Sequence, residues 1–402
     1  MNKPLLQTAL VLGLLSAIGP FAIDMYLPAL PTIGSSLNAS AGAVQMSLMA
    51  FFIALGLGQM VYGPASDMLG RKLPLYVGLG LFAVGSVGCA LAPDIQTLVW
   101  WRTVQGLGAC AGMVVPRAVV RDLHTGDAAA SLTALLTLVF SVSPILAPLF
   151  GSFLIEWSGW RAVFWAVTVA AVLAMGLLFT GLQETRSRES RMASSVGSAL
   201  RGYGVLLRDG HFIGLVLIGA FGISSFFAYL ANSSFVLIDH YGLTPREYSY
   251  AFGANAAAFI GMSQFTGRLV RRFGMVPLVR MAAVGFATTM VLLLALHLAG
   301  LHSLALLLGL LFVGFGFLGL VLPTSSVLAL EEHGSIAGTA SALMGTLQFM
   351  VGAGVMACVG VFADGTAPPM LTGIAACAAL TLLFTWTTLR HHAKKASSPS
   401  AH

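Results

Sequence analysis

The sequence predicts an all-α polytopic membrane protein, with twelve transmembrane helices arranged as two six-helix bundles. Three observations carry this. Of 402 residues, 57% are hydrophobic and 8% charged, against about 45–50% and 25% in soluble domains. A chain so poor in charge cannot cover a soluble globule. Apolar stretches recur at about twenty residues, the length that spans a bilayer core. One long polar stretch, 183–210, divides six such stretches from six more. Helices follow because lipid-exposed irregular backbone cannot satisfy its hydrogen bonds.

The spans fall near 8–30, 43–65, 74–92, 97–117, 130–153 and 162–182, then 212–236, 247–266, 276–299, 303–326, 337–361 and 369–389. The first six form an N-terminal bundle over 1–182. A cytoplasmic linker covers 183–210, a C-terminal bundle 211–390, and a cytoplasmic tail 391–402. Two six-helix halves around a polar linker suggest the internal repeat of many secondary carriers. The first apolar run is too long for a signal h-region and lacks a small-residue cleavage site after it.

Charge sets the orientation. With the amino terminus in the cytoplasm, seventeen of the twenty Lys and Arg face the cytoplasm, Arg188 among them; only Arg161 and Arg246 lie outside. Arg102 falls inside a span. The positive-inside rule therefore places both termini in the cytoplasm, and it accounts for the formal charge of +6 without an anionic partner.

Asp24 closes the first apolar run, in Asp24-Met25-Tyr26-Leu27-Pro28-Ala29-Leu30-Pro31. Of fourteen acidic residues it alone falls well inside a predicted span. An acid at a helix centre costs roughly 2.5–3.5 kcal/mol on insertion scales, so such a group points to function. Asp24 lies seven residues before Pro31, and Arg102 eight residues beyond Asp94 in a span running the other way. At 1.5 Å rise both lie about 10–12 Å below the same membrane face, and an ion pair between them is expected. Burial favours a neutral carboxyl and a nearby guanidinium an ionised one, so changing either changes proton affinity. That is the property a proton carrier needs; a static structural ion pair is the alternative.

The second span ends in Gly63-Pro64-Ala65-Ser66-Asp67-Met68-Leu69-Gly70-Arg71-Lys72. The glycines Gly63 and Gly70 permit a tight turn, and Asp67 is placed to pair with a cation or meet a helix amino terminus. Gly267-Arg268-Leu269-Val270-Arg271-Arg272-Phe273-Gly274 echoes this loop in the second half, without the acid. Pro144 and Pro148 remove backbone donors from the fifth span and are expected to kink it. Beside Gly151 they admit a close helix contact, which would seal neighbouring helices against proton leak. Candidate substrate contacts are Tyr26, then Phe226, Tyr229 and Asn232 at three-residue spacing, Phe252 with Asn255, and Gln348. Met46 and Phe52 are weaker candidates on the second span. An aromatic stripe at such spacing also suits plain packing.

Other chemistry finds no footing in the sequence. Cys89, Cys110, Cys358 and Cys377 all fall in apolar spans and form neither a disulfide framework nor a metal set. The histidines, including His297, His302, His333 and His402, make no spaced ligand set. There is no phosphate-cradling Gly-x-x-x-x-Gly-Lys-Ser/Thr, and no basic stripe with aromatics for nucleic acid. No enzyme activity, cofactor or metal is expected, only the proton as coupling ion.

The Gly63–Lys72 stretch resembles the signature loop of the major facilitator superfamily, with Met68 at its usual second basic position. Trp101-Arg102-Thr103-Val104-Gln105-Gly106 resembles that superfamily's fourth-helix motif. Ser143-Pro144-Ile145-Leu146-Ala147-Pro148-Leu149-Phe150-Gly151 is similar to the fifth-helix motif of its drug–proton antiporters, with Ala147 and Ser152 in place of glycines. Together with the Asp24–Pro31 stretch, Gly159-Trp160-Arg161, Glu184-Thr185 and Tyr241-Gly242-Leu243, these resemble the Bcr/CflA branch of bacterial drug-resistance antiporters. The resemblance implies the major facilitator fold and a proton-coupled multidrug efflux antiporter of a bacterial inner membrane. It also implies a monomer that exports small hydrophobic drug-like compounds by alternating access. The alternatives are a proton-coupled nutrient uptake symporter on the same fold, or a membrane ligand sensor. The latter would usually carry a soluble output domain.

A reporter fused after Arg390 is expected to behave as cytoplasmic. Finding it on the outer side of the membrane would overturn the orientation read from the arginines and lysines.

Overall fold

The fold is described from a computed structural model, over residues 3–396 except 124–125, 188, 190, 192–195, 332 and 334–335. Arg188 and His402, which entered the charge and histidine readings, lie outside the described residues.

The described chain is almost entirely helical, as the composition requires. The first span is broken in two. Helix α1 (Lys3–Asp24) ends at the carboxylate, a 3₁₀ turn follows over Leu27–Ala29, and α2 (Leu30–Ser36) completes the crossing. The interruption follows from Pro28 and Pro31, which lack the backbone donors a continuing helix needs. The remaining helices of the first half are α3 (Ala41–Leu69), α4 (Lys72–Leu91), α5 (Ile95–Leu123), α6 (Gly126–Ser158) and α7 (Arg161–Gly181). A linker helix, α8 (Val196–Arg208), precedes α9 (Gly210–Ser234), which runs into a π-helical turn over Phe235–His240. Then come α10 (Pro245–Phe273), α11 (Met275–Leu298), α12 (Leu304–Glu331), α13 (Ala337–Val361) and α14 (Ala367–Ala396).

Eleven described helical segments are long and apolar enough to cross a membrane. The eighth predicted span lies in α10, whose 29 residues reach about 43 Å at 1.5 Å per residue. Ser249, Asn255, Ser263, Gln264 and three terminal arginines make α10 the most polar of these long helices. Many large apolar side chains remain exposed, Trp157, Phe179 and Val361 among them. That is expected of surfaces facing lipid rather than water.

Two compact units emerge. The first holds residues 1–201 together with 231–253 and 360–365; the second holds 202–230, 254–359 and 366–402. The short segments 231–253 and 360–365 join the first unit although the sequence division assigns them to the C-terminal bundle. Side-chain contacts account for part of this. Gln45 Nε2 donates to Asn232 Oδ1 at 2.9 Å, Ser249 Oγ donates to the Pro148 carbonyl at 2.9 Å, and Arg246 pairs with Glu156 at 2.7 Å.

Within the first unit, α5 packs along α3, α4 and α1. In the second, α11 packs along α12 and α14. Helix α6 is continuous through Pro144 and Pro148. Its Gly151 lies directly on the backbone of the broken first span, where a Cβ would collide with the Met25 carbonyl and fall 2.9 Å from Met25 Cα. The expected close contact is therefore present, and its partner is the unwound turn after Asp24.

Two sequence readings need correction. Gly63 makes no turn: α3 runs unbroken to Leu69, and space around Gly63 is open. The reversal is made by Gly70 alone, at φ +88°, a conformation that costs a glycine nothing. The second correction concerns Arg102 and is described below.

Gly151→Leu should destabilise the protein by about 1–3 kcal/mol, the usual cost of overpacking. The control is Gly176→Leu, because nothing lies within 4 Å of a Cβ at Gly176. Thermal unfolding of both variants in detergent checks this; equal melting temperatures would mean the Met25 turn yields freely.

Candidate functional site

The break after Asp24 sends neighbouring side chains to different partners. Asp24 is 5% exposed, and its Oδ2 accepts a 3.2 Å hydrogen bond from Ser143 Oγ of α6. Two residues on, Tyr26 is fully buried and its hydroxyl is 2.6 Å from Ser47 Oγ on α3. The Tyr26 ring lies against Phe164 of α7 and beneath the Arg102 guanidinium.

Arg102 is 0% exposed and reaches the Ala22–Tyr26 turn. Its Nη1 donates to the Ala22 carbonyl at 3.3 Å and to Gln105 Oε1 at 2.5 Å. Gln105 passes the chain on, donating from Nε2 to Ser86 Oγ at 2.7 Å. The guanidinium carbon sits 4.5 Å from the Tyr26 ring centroid and 4.3 Å from that of Phe51. Nε and Nη2 have no hydrogen-bond partner. The expected ion pair is absent: no Asp24–Arg102 contact within 4 Å occurs among the described residues. The physical reason is that both groups have nearer partners. Aromatic faces attract the guanidinium by about 0.5–2 kcal/mol each, while Ser143 faces the carboxylate from another helix.

This arrangement has a chemical consequence. A carboxyl with one neutral donor and no cation within 4 Å can exchange a proton without breaking a salt bridge. A guanidinium with two idle donors nearby is a latent partner for an anion. The two groups share the helix turn Ala22–Tyr26, so any movement there acts on both.

The other predicted residues fall into separate clusters. In the first unit Asn232 is bonded to Gln45, and Phe252 packs on Tyr248 with ring centroids 5.9 Å apart. In the second unit Asn255 Nδ2 donates to the Tyr229 hydroxyl at 3.0 Å. Phe226 packs on Tyr229, Phe259 and Phe315, at centroid separations of 6.2, 5.9 and 5.3 Å. Gln348 is part-exposed, with Nε2 beside Gly219. The predicted spacing thus brings Phe226, Tyr229 and Asn255 together, while Asn232 belongs to a different contact. Met46 is exposed and Phe52 is buried.

The Gly70 loop forms a second polar centre. Arg71, 2% exposed in its side chain, binds Asp67 at 2.7 Å and both oxygens of Asp122 at 2.7 and 3.1 Å. Burial opposes its charge, but these acids outweigh burial and hold the guanidinium charged. Glu184 accepts the backbone N–H groups of Arg71 and Lys72 at 2.9 and 3.2 Å. It thereby caps the first turn of α4, where a negative charge is favoured. Burial works against this carboxylate too, yet the backbone donors of Arg71, Arg186 and Lys72 bring it below its ordinary range. Lys72 lies 6.0 Å from the Tyr76 ring. At the opposite end Arg161 donates to the Ala92 carbonyl at 3.1 Å and stacks on Trp160, which gives the Gly159-Trp160-Arg161 run a capping role.

Ser143, Gln105 and Glu184 stood in the motifs, but their partners were not readable there. Phe51 and Asp122 carried no sequence signal, because their roles depend on helices brought together only in the fold. Among the described residues no group of three or more His, Cys, Asp or Glu could hold a metal ion.

Residues 12–357 match the sequence model of the Major Facilitator Superfamily. The chain is 38% identical to the uncharacterised MFS-type transporter YdgK of Bacillus subtilis, covering 92% of each chain. It is 30% identical to a bicyclomycin resistance protein homolog of Haemophilus influenzae, covering 93% of this chain and 94% of that one. It is 29% identical to multidrug resistance protein D of Escherichia coli, covering 94% and 95%. Among solved structures, a D-xylose–proton symporter superposes with a TM-score of 0.76 at 18% identity, covering 95% of this chain and 97% of that one. That level of identity speaks to fold alone. A broken first helix, a Gly70 loop locked by carboxylates, and homology over nearly the whole length make this chain a transporter of the Major Facilitator Superfamily.

Proposed function

We propose that the protein is a proton-coupled antiporter that exports small hydrophobic drug-like compounds from the bacterial cytoplasm. The observation carrying this reading is Asp24, a buried carboxyl at a helix break whose only described side-chain partner is the Ser143 hydroxyl. Its protonated form suits an apolar setting; its ionised form needs water or a cation. A transporter that alternately wets and dries this turn loads and releases a proton.

Arg102 is assigned a coupling role through the shared turn. It contacts Ala22 and Tyr26, so rearrangement of the turn bears on the guanidinium and on Asp24 together. The idle Nε and Nη2 of Arg102 are available to an ionised Asp24 if the turn rotates. Gly151 meets that turn from α6, and in this reading it and Pro148 form the seal against proton leak. The carboxylate-bound Arg71 at the Gly70 loop serves as a latch on the opposite side, taken as cytoplasmic from the charge asymmetry.

Tyr26, Phe226, Tyr229, Asn232, Phe252, Asn255 and Gln348 are proposed as substrate contacts. All but Gln348 are buried against one another or other side chains, so this role requires them to be exposed during the cycle. The names of the drug-resistance relatives favour export over nutrient uptake. No cofactor enters the scheme.

The test is flux in proteoliposomes with the membrane potential and pH gradient imposed separately. One proton exchanged for a neutral drug moves one charge, so the potential contributes about 2.3 kcal/mol per 100 mV. The pH gradient contributes about 1.4 kcal/mol per unit. Export of a neutral substrate should respond to both, and export of a monovalent cation to the pH gradient alone. In Asp24→Asn both responses should vanish, because the amide carries no proton. Sustained proton-driven export by that variant would move the proton site elsewhere.

A further inference from the structure

A second feature lies in the second unit and is independent of what the chain transports. A groove of about 600 Å³ opens between α10, α11, α12 and α14, within the size range of small-molecule pockets. Its walls are apolar, with Leu269, Phe273, Met281, Val284, Phe317 and Trp386 among them. The polar exception is Arg280. One Arg280 nitrogen, Nη2, donates to the Leu389 carbonyl at 2.8 Å, and the guanidinium lies 5.8 Å from the Trp386 ring centroid. Its Nε has no hydrogen-bond partner, and no described carboxylate lies within 4 Å of it.

An arginine without a counter-ion on an apolar groove is costly unless something supplies the anion. We propose that the groove holds a phospholipid with an anionic headgroup, its acyl chain along Met281, Val284 and Phe317 and its phosphate on Arg280. The position fits. Arg280 lies five residues into α11, about 8 Å along the helix, within snorkelling reach of the boundary between headgroups and hydrocarbon. Arg268, Arg271 and Arg272 on the last turns of α10 add positive charge at the same end, and clustered arginines at this depth attract anionic lipid. Met281, Val284, Phe273 and Trp386 are exposed, so an acyl chain can enter sideways from the bilayer.

The test uses the purified full-length protein. Phosphatidylglycerol carrying a photoreactive diazirine on its acyl chain is bound, activated and mapped by peptide mass spectrometry. Phosphatidylcholine with the same chain is run in parallel. Labelling by phosphatidylglycerol should concentrate on peptides containing Met281, Val284, Phe317 or Trp386 and exceed that by phosphatidylcholine at least tenfold. Excess inorganic phosphate should not displace it; displacement would make the site one for a free anion. Arg280→Gln should lose the headgroup preference, and Val284→Trp, which fills the groove without altering charge, should lose labelling altogether. Equal labelling by the two lipids, or labelling spread evenly over the membrane surface, would overturn the proposal from the wild-type protein alone.

Discussion

The first unit depends on how it houses Arg102. A permanently charged guanidinium, wholly buried, would be among the most expensive groups in the protein if left bare. Three aromatic rings, one backbone carbonyl and the Gln105 amide share its charge. Each of those partners belongs to a different constraint. Phe51 comes from α3, Phe164 from α7, Ala22 from the end of α1, Tyr26 from the turn after it, and Gln105 from the next turn of α5, anchored on Ser86 of α4. Satisfying one cation thus ties five helices together. An ion pair would have tied only two.

The same arrangement leaves Asp24 unpaired by charge, and this separates the present geometry from a static salt bridge. Removing one partner of a buried ion pair strands the other, at about 3–5 kcal/mol. Here a proton can arrive at or leave Asp24 without stranding Arg102, whose partners are neutral. The helix break is what permits this. A continuous helix through residue 30 would fix Asp24 and Tyr26 on diverging faces. The turn instead lets each find a partner, Ser143 in one case and Ser47 with Arg102 in the other. The backbone of Met25 between them is pinned by Gly151.

Electrostatics at the Gly70 loop follow the opposite logic. There Arg71 is surrounded by carboxylates, and Glu184 adds a charge at the start of α4. Charge-assisted contacts of this kind are stronger than neutral ones. Asp24 instead has one described side-chain partner, the neutral hydroxyl of Ser143. One chain uses both designs within its first unit.

The sequence alone determined the helical membrane class, the approximate spans and the singularity of Asp24, because these depend on composition and on the length of apolar runs. It also put Arg102 level with the end of the first span, since helical rise converts residue number into position, and Arg102 does reach Ala22 and Tyr26. It marked Gly151 as a point of close helix contact, since a small residue acts locally, and Gly151 does meet the Met25 backbone. Direction was a different matter. Depth does not say which way a side chain turns, and Arg102 turned toward Tyr26 and Phe51 rather than Asp24 because rings from other helices lay closer. The loop motif named Asp67 and Arg71, but Asp122 and Glu184 come from 51 and 113 residues away, a pairing that no local pattern encodes. The stripe Phe226, Tyr229, Asn232 was legible as a face, yet its last member bonds to Gln45 while the first two pack in the second unit. Only the tertiary structure decided these outcomes, because buried polar groups take whichever partners the assembled helices bring within reach.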